Sequence, residues 1–193
     1  MKKIIISLIF ILVLPGCRMD ANFHEVDPGK FYRSAQLKRV EFETALKKGI
    51  RTVINLRGKA TGQDWYKMEK ELTRKYGAKL INIAMSPSEI PTKENLRKLV
   101  GAYEDSERPI LVHCEMGADR TGEASAIYSM DYMGASVREA LDQLTPEYQH
   151  FEGVFPAKRY FIESVYRGSD WTMNEYEPCD SHYPYFNRKK RCK

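Results

Sequence analysis

The sequence is poor in several features that would indicate common classes of protein. Its longest apolar stretch, from Ile4 to Leu14, covers eleven residues and contains one serine, which is too short for a stable membrane-spanning helix. There is no internal repeat and no low-complexity tract, so a solenoid or an extended disordered chain is excluded. The net charge of +5 over 193 residues is mild and does not predict a nucleic-acid partner.

The first sixteen residues have the pattern of a signal peptide. Lys2 and Lys3 precede the apolar stretch, and the sequence LPGC follows it, ending at Cys17. This ending resembles the lipobox of bacterial lipoproteins, in which cleavage precedes the cysteine and lipid is attached to its thiol. We therefore expect export to a bacterial cell envelope and membrane attachment through lipid on Cys17, facing the periplasm. Simple secretion and an uncleaved membrane anchor are the alternatives.

Length and composition predict one compact domain. With 193 residues, of which 42% are apolar, the chain has enough material for a single core. We place a signal peptide at 1–16, a linker at 17–29, the domain at 30–168 and a polar, aromatic tail at 169–193. In the tail, Cys179 and Cys192 could form a disulfide in an oxidising compartment or could stay as free thiols. The sequence leaves both alternatives open.

Strand and helix patterns alternate through the domain. Strands are predicted at 31–34, 52–56, 80–83 and 110–112, and helices at 40–48, 63–76, 92–103, 136–144 and 156–166. This alternation predicts an α/β fold with a largely parallel central sheet of about four to five strands, flanked by helices, with the functional site at the carboxyl ends of the strands. Within the helix at 63–76, a single core-facing stripe is predicted, formed by Trp65, Met68, Leu72 and Tyr76.

The most informative stretch joins the strand at 110–112 to an alanine-rich helix after Gly122. Cys114 follows the strand, and Arg120 stands six residues further on. The chain between them must curl, and Gly117 permits the tight turn. Free backbone N–H groups then converge at the start of a helix, where an oxyanion fits, and the same field favours the thiolate form of Cys114. The stretch is therefore predicted to be a phosphate-binding loop between a central strand and a helix.

Each residue of this loop has a predicted role. Cys114 is the candidate nucleophile, and the planar fork of Arg120 matches two phosphoryl oxygens. Thr121 can donate its hydroxyl to the sulfur, which makes the cysteine a better leaving group. The candidate phosphate-binding residues are Glu115, Met116, Gly117, Ala118, Asp119 and Arg120.

The stretch from His113 to Gly122 resembles the HCxxxxxR[ST]G signature of the cysteine-dependent protein tyrosine and dual-specificity phosphatases. Its fuller form, GxDRTG, is similar to the bacterial atypical dual-specificity branch and to relatives that act on inositol lipids or inositol phosphates. The segments FYRSAQL at 31–37 and TVINLRG at 52–58 also resemble that branch. The resemblance implies that 30–168 is a phosphatase domain that uses a phosphocysteine intermediate and needs neither a metal nor another cofactor.

The general acid has two candidates. In most of this superfamily it is an aspartate on a mobile loop upstream of the phosphate loop, but the corresponding segment here, 84–91, has no aspartate, and Glu89 is its only carboxylate. In members of the superfamily that contain GxDRTG, the aspartate inside the loop has been assigned this role. We therefore favour Asp119 and keep Glu89 as the alternative.

The other polar residues of interest are expected to be structural. His113 is expected to order the loop, and Arg33 and Arg57 are expected to brace it or to form internal ion pairs. No metal site is predicted, because three histidines have no cysteine or carboxylate partner at ligand spacing: His24, His150 and His182.

The leading prediction is a phosphatase that hydrolyses phosphomonoesters, of the protein tyrosine or dual-specificity type. Its substrate would be a phosphorylated protein or a small anionic phosphoester. The alternative substrates are inositol phosphates or phosphoinositides, and the alternative of another class is a non-catalytic phospho-binding module. A sulfurtransferase is disfavoured because Arg120 and Thr121 suit phosphate. The oligomeric state is not predicted.

Overall fold

The computed structural model describes residues 21–192, which contain a five-stranded sheet with helices on both faces. The strands are β1 (His24–Asp27), β2 (Phe31–Ser34), β3 (Thr52–Asn55), β4 (Lys79–Asn82) and β5 (Ile110–His113). Their order is β1-β2-β5-β3-β4, and only β1 is antiparallel to its neighbour. The predicted α/β fold with a largely parallel sheet is confirmed. The central strands β3 and β5 are buried throughout, as expected for a sheet covered on both faces.

Strand β1 was not predicted from the sequence. It lies within 17–29, the segment expected to be a linker, and pairs with β2 across an irregularity between Glu25 and Asp27. Its four residues include one aliphatic side chain, so the sequence shows no alternation of apolar and polar residues. The strand is held by tertiary contacts instead, since buried Asp27 accepts a hydrogen bond from the hydroxyl of Tyr128 at 2.9 Å.

In the described part of the chain, four long helices and four short ones accompany the sheet. They are α1 (Arg39–Lys47), α2 (Asp64–Tyr76), α3 (Lys93–Asp105), α4 (Asp119–Met133), α5 (Val137–Ala140), α6 (Ala157–Tyr160), α7 (Ser169–Asn174) and α8 (Arg188–Arg191). Within residues 21–192, none of the helices is long and apolar enough to cross a membrane. The predicted helix at 136–144 is divided into α5 and a 3-10 turn, and the one at 156–166 into α6 and a wider π-type turn.

Helix α4 begins earlier than the sequence suggested. We expected the helix after Gly122, but it starts at Asp119, so Arg120 and Thr121 lie in its first turn. Its residues from Thr121 to Ser129 are all buried, which makes it the central helix of its layer.

The buried face of α2 also differs from the prediction. Of the expected stripe only Leu72 is buried, whereas Trp65, Met68 and Tyr76 are half-buried. A carboxylate, that of Glu69, occupies a fully buried position on this helix. A pattern of apolar residues could not predict this, because the buried carboxylate of Glu69 makes polar contacts, with Gln36 and His113.

A buried ion pair joins α4 to α6. Lys158 Nζ lies 2.8 Å from Glu123 Oε2, and both side chains are fully enclosed. Burial raises the pKa of Glu123 to about 7, although the charge of Lys158 acts in the opposite direction. Breaking such a pair by removing one partner leaves an uncompensated buried charge.

The tail after residue 168 is packed against the domain. Tyr176 is fully buried and donates its hydroxyl to the carbonyl oxygen of Pro91 at 2.6 Å, and Phe186 is also buried. Cys179 and Cys192 form a disulfide. Of the two alternatives that the sequence left open, the structure has the bonded one.

The disulfide predicts a specific loss of stability. A double variant, Cys179→Ser with Cys192→Ser, should lower the free energy of unfolding by about 3 kcal/mol, because the unfolded chain regains the entropy of the closed loop. Urea unfolding without reductant measures this difference. Wild-type protein with reductant should show the same loss, and an unchanged midpoint in both cases would contradict a structural role for the disulfide.

Candidate active site

The site lies where four parallel strands end. The register aligns Ser34, His113, Asn55 and Asn82, the last residues of β2, β5, β3 and β4, along one edge of the sheet. Cys114 follows directly after β5, which lies between β2 and β3. Ligand sites of open α/β sheets lie outside this carboxyl edge.

The phosphate loop from Cys114 to Arg120 connects β5 to α4. The side chain of Cys114 is buried, and that of Arg120 is 13% exposed. Among the intervening residues, Glu115 and Met116 are exposed, Gly117 and Ala118 are buried, and Asp119 is half-buried. Since α4 begins at Asp119, the free N–H groups of its first turn belong to the end of the loop, and such groups favour an anion.

Gly117 is required by the shape of the loop. Its φ of +69° is in the left-handed region, and a Cβ at this position would lie 2.6 Å from the nitrogen of Ala35 and 2.7 Å from the carbonyl carbon of Ser34. The obstructing atoms belong to the backbone and cannot rotate away. The loop therefore rests directly against the end of β2.

A buried arginine braces the loop from below. Arg33 Nη2 donates to the carbonyl oxygen of Gly117 at 2.8 Å, and Nη1 donates to the carbonyl and side-chain oxygens of Gln143 at 2.8 Å. Its guanidinium lies 3.9 Å from the ring centre of Tyr148. Burial lowers the pKa of Arg33 to about 10, so the group stays charged at neutral pH and interacts favourably with a thiolate at Cys114. Bracing was one of the two roles predicted for this residue.

Arg57 reaches the loop from the end of β3. Its Nη1 donates to Gln36 Oε1 at 3.0 Å, and its Nη2 lies 3.4 Å from Glu115 Oε1. The guanidinium stacks on the half-buried ring of Trp65, 4.0 Å from its centre. Gln36 in turn donates to buried Glu69. The two upstream segments that carry the family resemblance therefore both contact the phosphate loop.

His113 lies behind the loop, as expected for a residue that orders it. The imidazole is buried, and its Nε2 lies 3.2 Å from Glu69 Oε1, without the alignment of a hydrogen bond. Its Nδ1 lies 3.2 Å from the carbonyl oxygen of Cys114. The ring is therefore placed between the loop and α2.

Asp119, the favoured acid, has a partner that the sequence did not reveal. Its Oδ1 lies 2.7 Å from Nδ1 of His150, whose side chain is 1% exposed. The prediction for His150 concerned partners at metal-ligand spacing in the sequence, which could not anticipate a contact made through the fold. The two residues are 31 positions apart, and only the fold brings them together.

Glu89, the alternative acid, is engaged elsewhere. Its Oε2 lies 2.7 Å from both Nε and Nη2 of Arg191 in the tail. Its carbonyl oxygen accepts a hydrogen bond from Lys158 at 2.7 Å, and the next residue, Ile90, donates its N–H to the carbonyl oxygen of Tyr185. The carboxylate is thus part of a contact that ties this segment to the tail.

Thr121 is buried in the first turn of α4. Its hydroxyl has no hydrogen-bond partner among residues 21–192, so the bond to the sulfur of Cys114 that we expected is not formed in this structure. The candidate lipid-attachment residue, Cys17, lies outside the described residues.

A cleft that does not include the phosphate loop lies on the neighbouring surface. It has a volume of about 810 Å³ and lies beside the ends of β3 and β4. Five cations line it, namely Lys59, Lys93, Lys98, Lys190 and Arg191. Within residues 21–192, no group of three or more His, Cys, Asp or Glu side chains is arranged to hold a metal.

A cysteine and an arginine on a loop between a buried strand and a helix define the site of a cysteine-dependent phosphatase. The model of the family described as "DSP-PTPase phosphatase fused to NAD+ Kinase" matches residues 14–158, well over half of the chain. The chain belongs to this family. No curated protein matches it.

Solved structures share the fold. TpbA from P. aeruginosa superposes with a TM-score of 0.58 at 18% identity, covering 79% of this chain and 88% of TpbA. The core catalytic domain of the PP-IP phosphatase SIW14 from S. cerevisiae gives a TM-score of 0.59 at 23% identity, covering 74% of this chain and 84% of that domain. At these identities the likeness establishes the architecture alone.

The position of Gly117 predicts that the loop will not accept a larger residue. Gly117→Ala should reduce turnover of nitrophenyl phosphate by about a hundredfold, because a displaced loop misplaces the nucleophile. Gly62→Ala is the matched control, since a Cβ there meets nothing within 4 Å. Turnover and thermal unfolding are measured for both variants. Wild-type behaviour of Gly117→Ala would show that the loop does not need its left-handed residue.

Proposed function

We propose that this protein hydrolyses phosphomonoesters through a phosphocysteine intermediate, as a phosphatase of the protein tyrosine or dual-specificity type. The observation that carries the proposal is the placement of Cys114 and Arg120 on one loop, whose curvature is fixed by Gly117 and by the bracing of Arg33. A non-catalytic phospho-binding module would not need the nucleophile.

The reaction proceeds in two steps. The thiolate of Cys114 attacks phosphorus, the S–P bond forms as the ester P–O bond breaks, and an acid gives a proton to the leaving oxygen. Water then attacks phosphorus, the S–P bond breaks, and the water proton passes to the same carboxylate. Loop N–H groups and Arg120 stabilise the charge that spreads over the phosphoryl oxygens. No step uses a metal, so a chelator should leave turnover unchanged.

Asp119 is the better candidate for the acid. It lies inside the phosphate loop, next to Arg120, and its side chain keeps access to solvent. Glu89 Oε2 lies 2.7 Å from both Nε and Nη2 of Arg191, so this carboxylate is occupied in a contact with the tail and not in the phosphate loop.

The charges around the loop favour a substrate with one phosphate group. Glu115, an exposed carboxylate of the loop, lies with Oε2 4.0 Å from Nη2 of Arg120 while its Oε1 engages Arg57, so it partly neutralises both cations. A substrate with several phosphate groups therefore gains less from these cations than it would from unpaired ones, and a phosphorylated protein side chain does not depend on that gain. A variant of TpbA, 19% identical to this chain, has been solved in complex with pTyr, which supports the same class.

A second candidate substrate class is favoured by the cationic cleft. Inositol phosphates carry several phosphate groups, and two of the lining lysines, Lys59 and Lys190, could meet those that do not react. SIW14 is a PP-IP phosphatase. Comparing kcat/KM for a phosphotyrosine peptide and for an inositol polyphosphate decides between the two classes. The variant Lys59→Gln should lower only kcat/KM for the inositol polyphosphate.

The covalent mechanism makes a direct prediction about two residues. Cys114→Ser should lower turnover by more than about a thousandfold while phosphate still binds, because a protonated alcohol stands where the thiolate would attack. Arg120→Lys should lose about a hundredfold or more, since a point charge cannot replace the bidentate fork. Turnover of nitrophenyl phosphate and phosphate binding are measured together. Substantial activity of Cys114→Ser would exclude the phosphocysteine.

We further propose that the protein is a lipoprotein of a bacterial envelope. The support is the signal-peptide pattern at 1–16 and the lipobox-like sequence that ends at Cys17. Diacylglycerol on this thiol supplies two acyl chains, which would hold the phosphatase domain at a membrane facing the periplasm.

This localisation predicts the behaviour of a single variant. Wild-type protein expressed in a bacterial host should sediment with membranes, and Cys17→Ser should remove the lipid and release the protein or leave it unprocessed. Cys114→Ser is the matched control, because it changes a cysteine that carries no lipid. Mass spectrometry of the mature N-terminus identifies the attached group, and a protein that keeps Met1 and stays in the cytoplasm would contradict the proposal.

A further inference from the structure

We propose that His150 is a positioning residue for Asp119, which holds one oxygen of the candidate acid so that the other faces the leaving group. This inference rests on the proposed function, because it concerns the proton donor of the same site. It adds a residue that lies outside the phosphate-loop signature.

The contact between the two side chains fixes both of them. Nδ1 of His150 lies 2.7 Å from Oδ1 of Asp119, and the two side chains are 1% and 14% exposed. In the proposed arrangement Nδ1 of His150 donates and Oδ1 of Asp119 accepts, and this holds in both states of the acid because its proton is placed on Oδ2. No described residue forms a hydrogen bond to Oδ2 of Asp119, which leaves that oxygen to carry the catalytic proton.

The segment that carries His150 is built onto the phosphate loop. The ring of Tyr148 lies against the guanidinium of Arg33, the group that braces the loop. The side-chain amide of Asn22 donates to the carbonyl oxygens of both Met116 and Tyr148, at 3.1 and 3.0 Å. The loop and the segment before His150 are therefore linked by a cation–π contact and a shared donor.

The backbone before His150 forms a closed turn. Gln149 has a φ of +64°, in the left-handed region that residues other than glycine seldom adopt. The N–H of His150 donates to the carbonyl oxygen of Thr145 at 3.1 Å, which closes the turn. Gln149 ends the 3-10 turn Pro146–Tyr148, so the chain direction is set directly before His150.

The proposed role follows the proton through both steps. In the first step the proton on Oδ2 of Asp119 passes to the ester oxygen as the P–O bond breaks and the S–P bond forms. The carboxylate that results keeps its hydrogen bond from Nδ1 of His150. In the second step Oδ2 takes a proton from the attacking water as the S–P bond breaks. His150 gains and loses no proton over the cycle.

A positioning role differs measurably from a purely structural one. Loss of the acid hardly slows a substrate whose leaving group is already a weak base, but it slows one whose leaving group needs the proton. The value of kcat/KM reports the step in which the P–O bond breaks, so its ratio for nitrophenyl phosphate and phenyl phosphate isolates the acid. A general loss of folding would lower both values equally.

The experiment compares His150→Phe with His150→Asn on the two substrates. The phenylalanine fills the space without a donor, and kcat/KM for phenyl phosphate should fall by about tenfold or more while that for nitrophenyl phosphate changes little. The asparagine places an amide N–H near the position of Nδ1 and should restore most of the loss. His182→Phe is the matched control, since His182 is bonded to Arg188 in the tail.

Two further variants keep the outcomes separate. If Asp119→Asn shows the leaving-group dependence, adding His150→Phe to it should cause little additional loss, because both changes act on one proton transfer. If Asp119→Asn shows no leaving-group dependence while Cys114→Ser is inactive, Asp119 is not the acid. The inference about His150 then fails, although the phosphatase assignment stands. Should His150→Phe not fold, His150→Gln replaces it, because its amide lies near Nε2 and should not rescue. Equal losses on both substrates, or none, would overturn the role of His150.

Discussion

The rest of the site depends on the contacts of the buried guanidinium of Arg33. It joins the end of β2 to the carbonyl oxygen of Gly117 and to Gln143, and it stacks on Tyr148. Burying a cation is costly unless it is hydrogen-bonded, and here its bonds go to the parts of the chain that must curl around a phosphate. The sheet, the phosphate loop and the segment leading to His150 are thereby held as one unit.

The tail contributes a second constraint, because it holds the segment 84–91 in place. In most of the superfamily the segment corresponding to 84–91 is a mobile loop that carries the acid. Here Arg191 pairs with Glu89, Tyr185 accepts from Ile90, and the disulfide closes the tail that supplies both contacts. A segment tied down in this way cannot easily bring a proton to the phosphate, which accords with an acid inside the phosphate loop.

The features that were predicted from the sequence are those whose signal is local. Cys114 and Arg120 are six residues apart, and β3 and β5 contain short apolar runs in continuous sequence. The features that were missed depend on contacts between distant residues. Glu69 is a carboxylate on a buried helix face, and His150 meets Asp119 only because the turn at 145–150 packs on the loop. Likewise β1 has no apolar alternation, and the packing of the tail leaves no periodic pattern.

The most direct test of the covalent mechanism is to trap its intermediate. Wild-type enzyme turning over nitrophenyl phosphate is quenched in acid and digested, and the mass of the peptide that contains Cys114 is measured by mass spectrometry. A phosphocysteine mechanism predicts one phosphoryl group on the sulfur of Cys114, present only when substrate is added and absent from Cys114→Ser. Full turnover with an unmodified Cys114, or with the phosphoryl group on another residue, would contradict it.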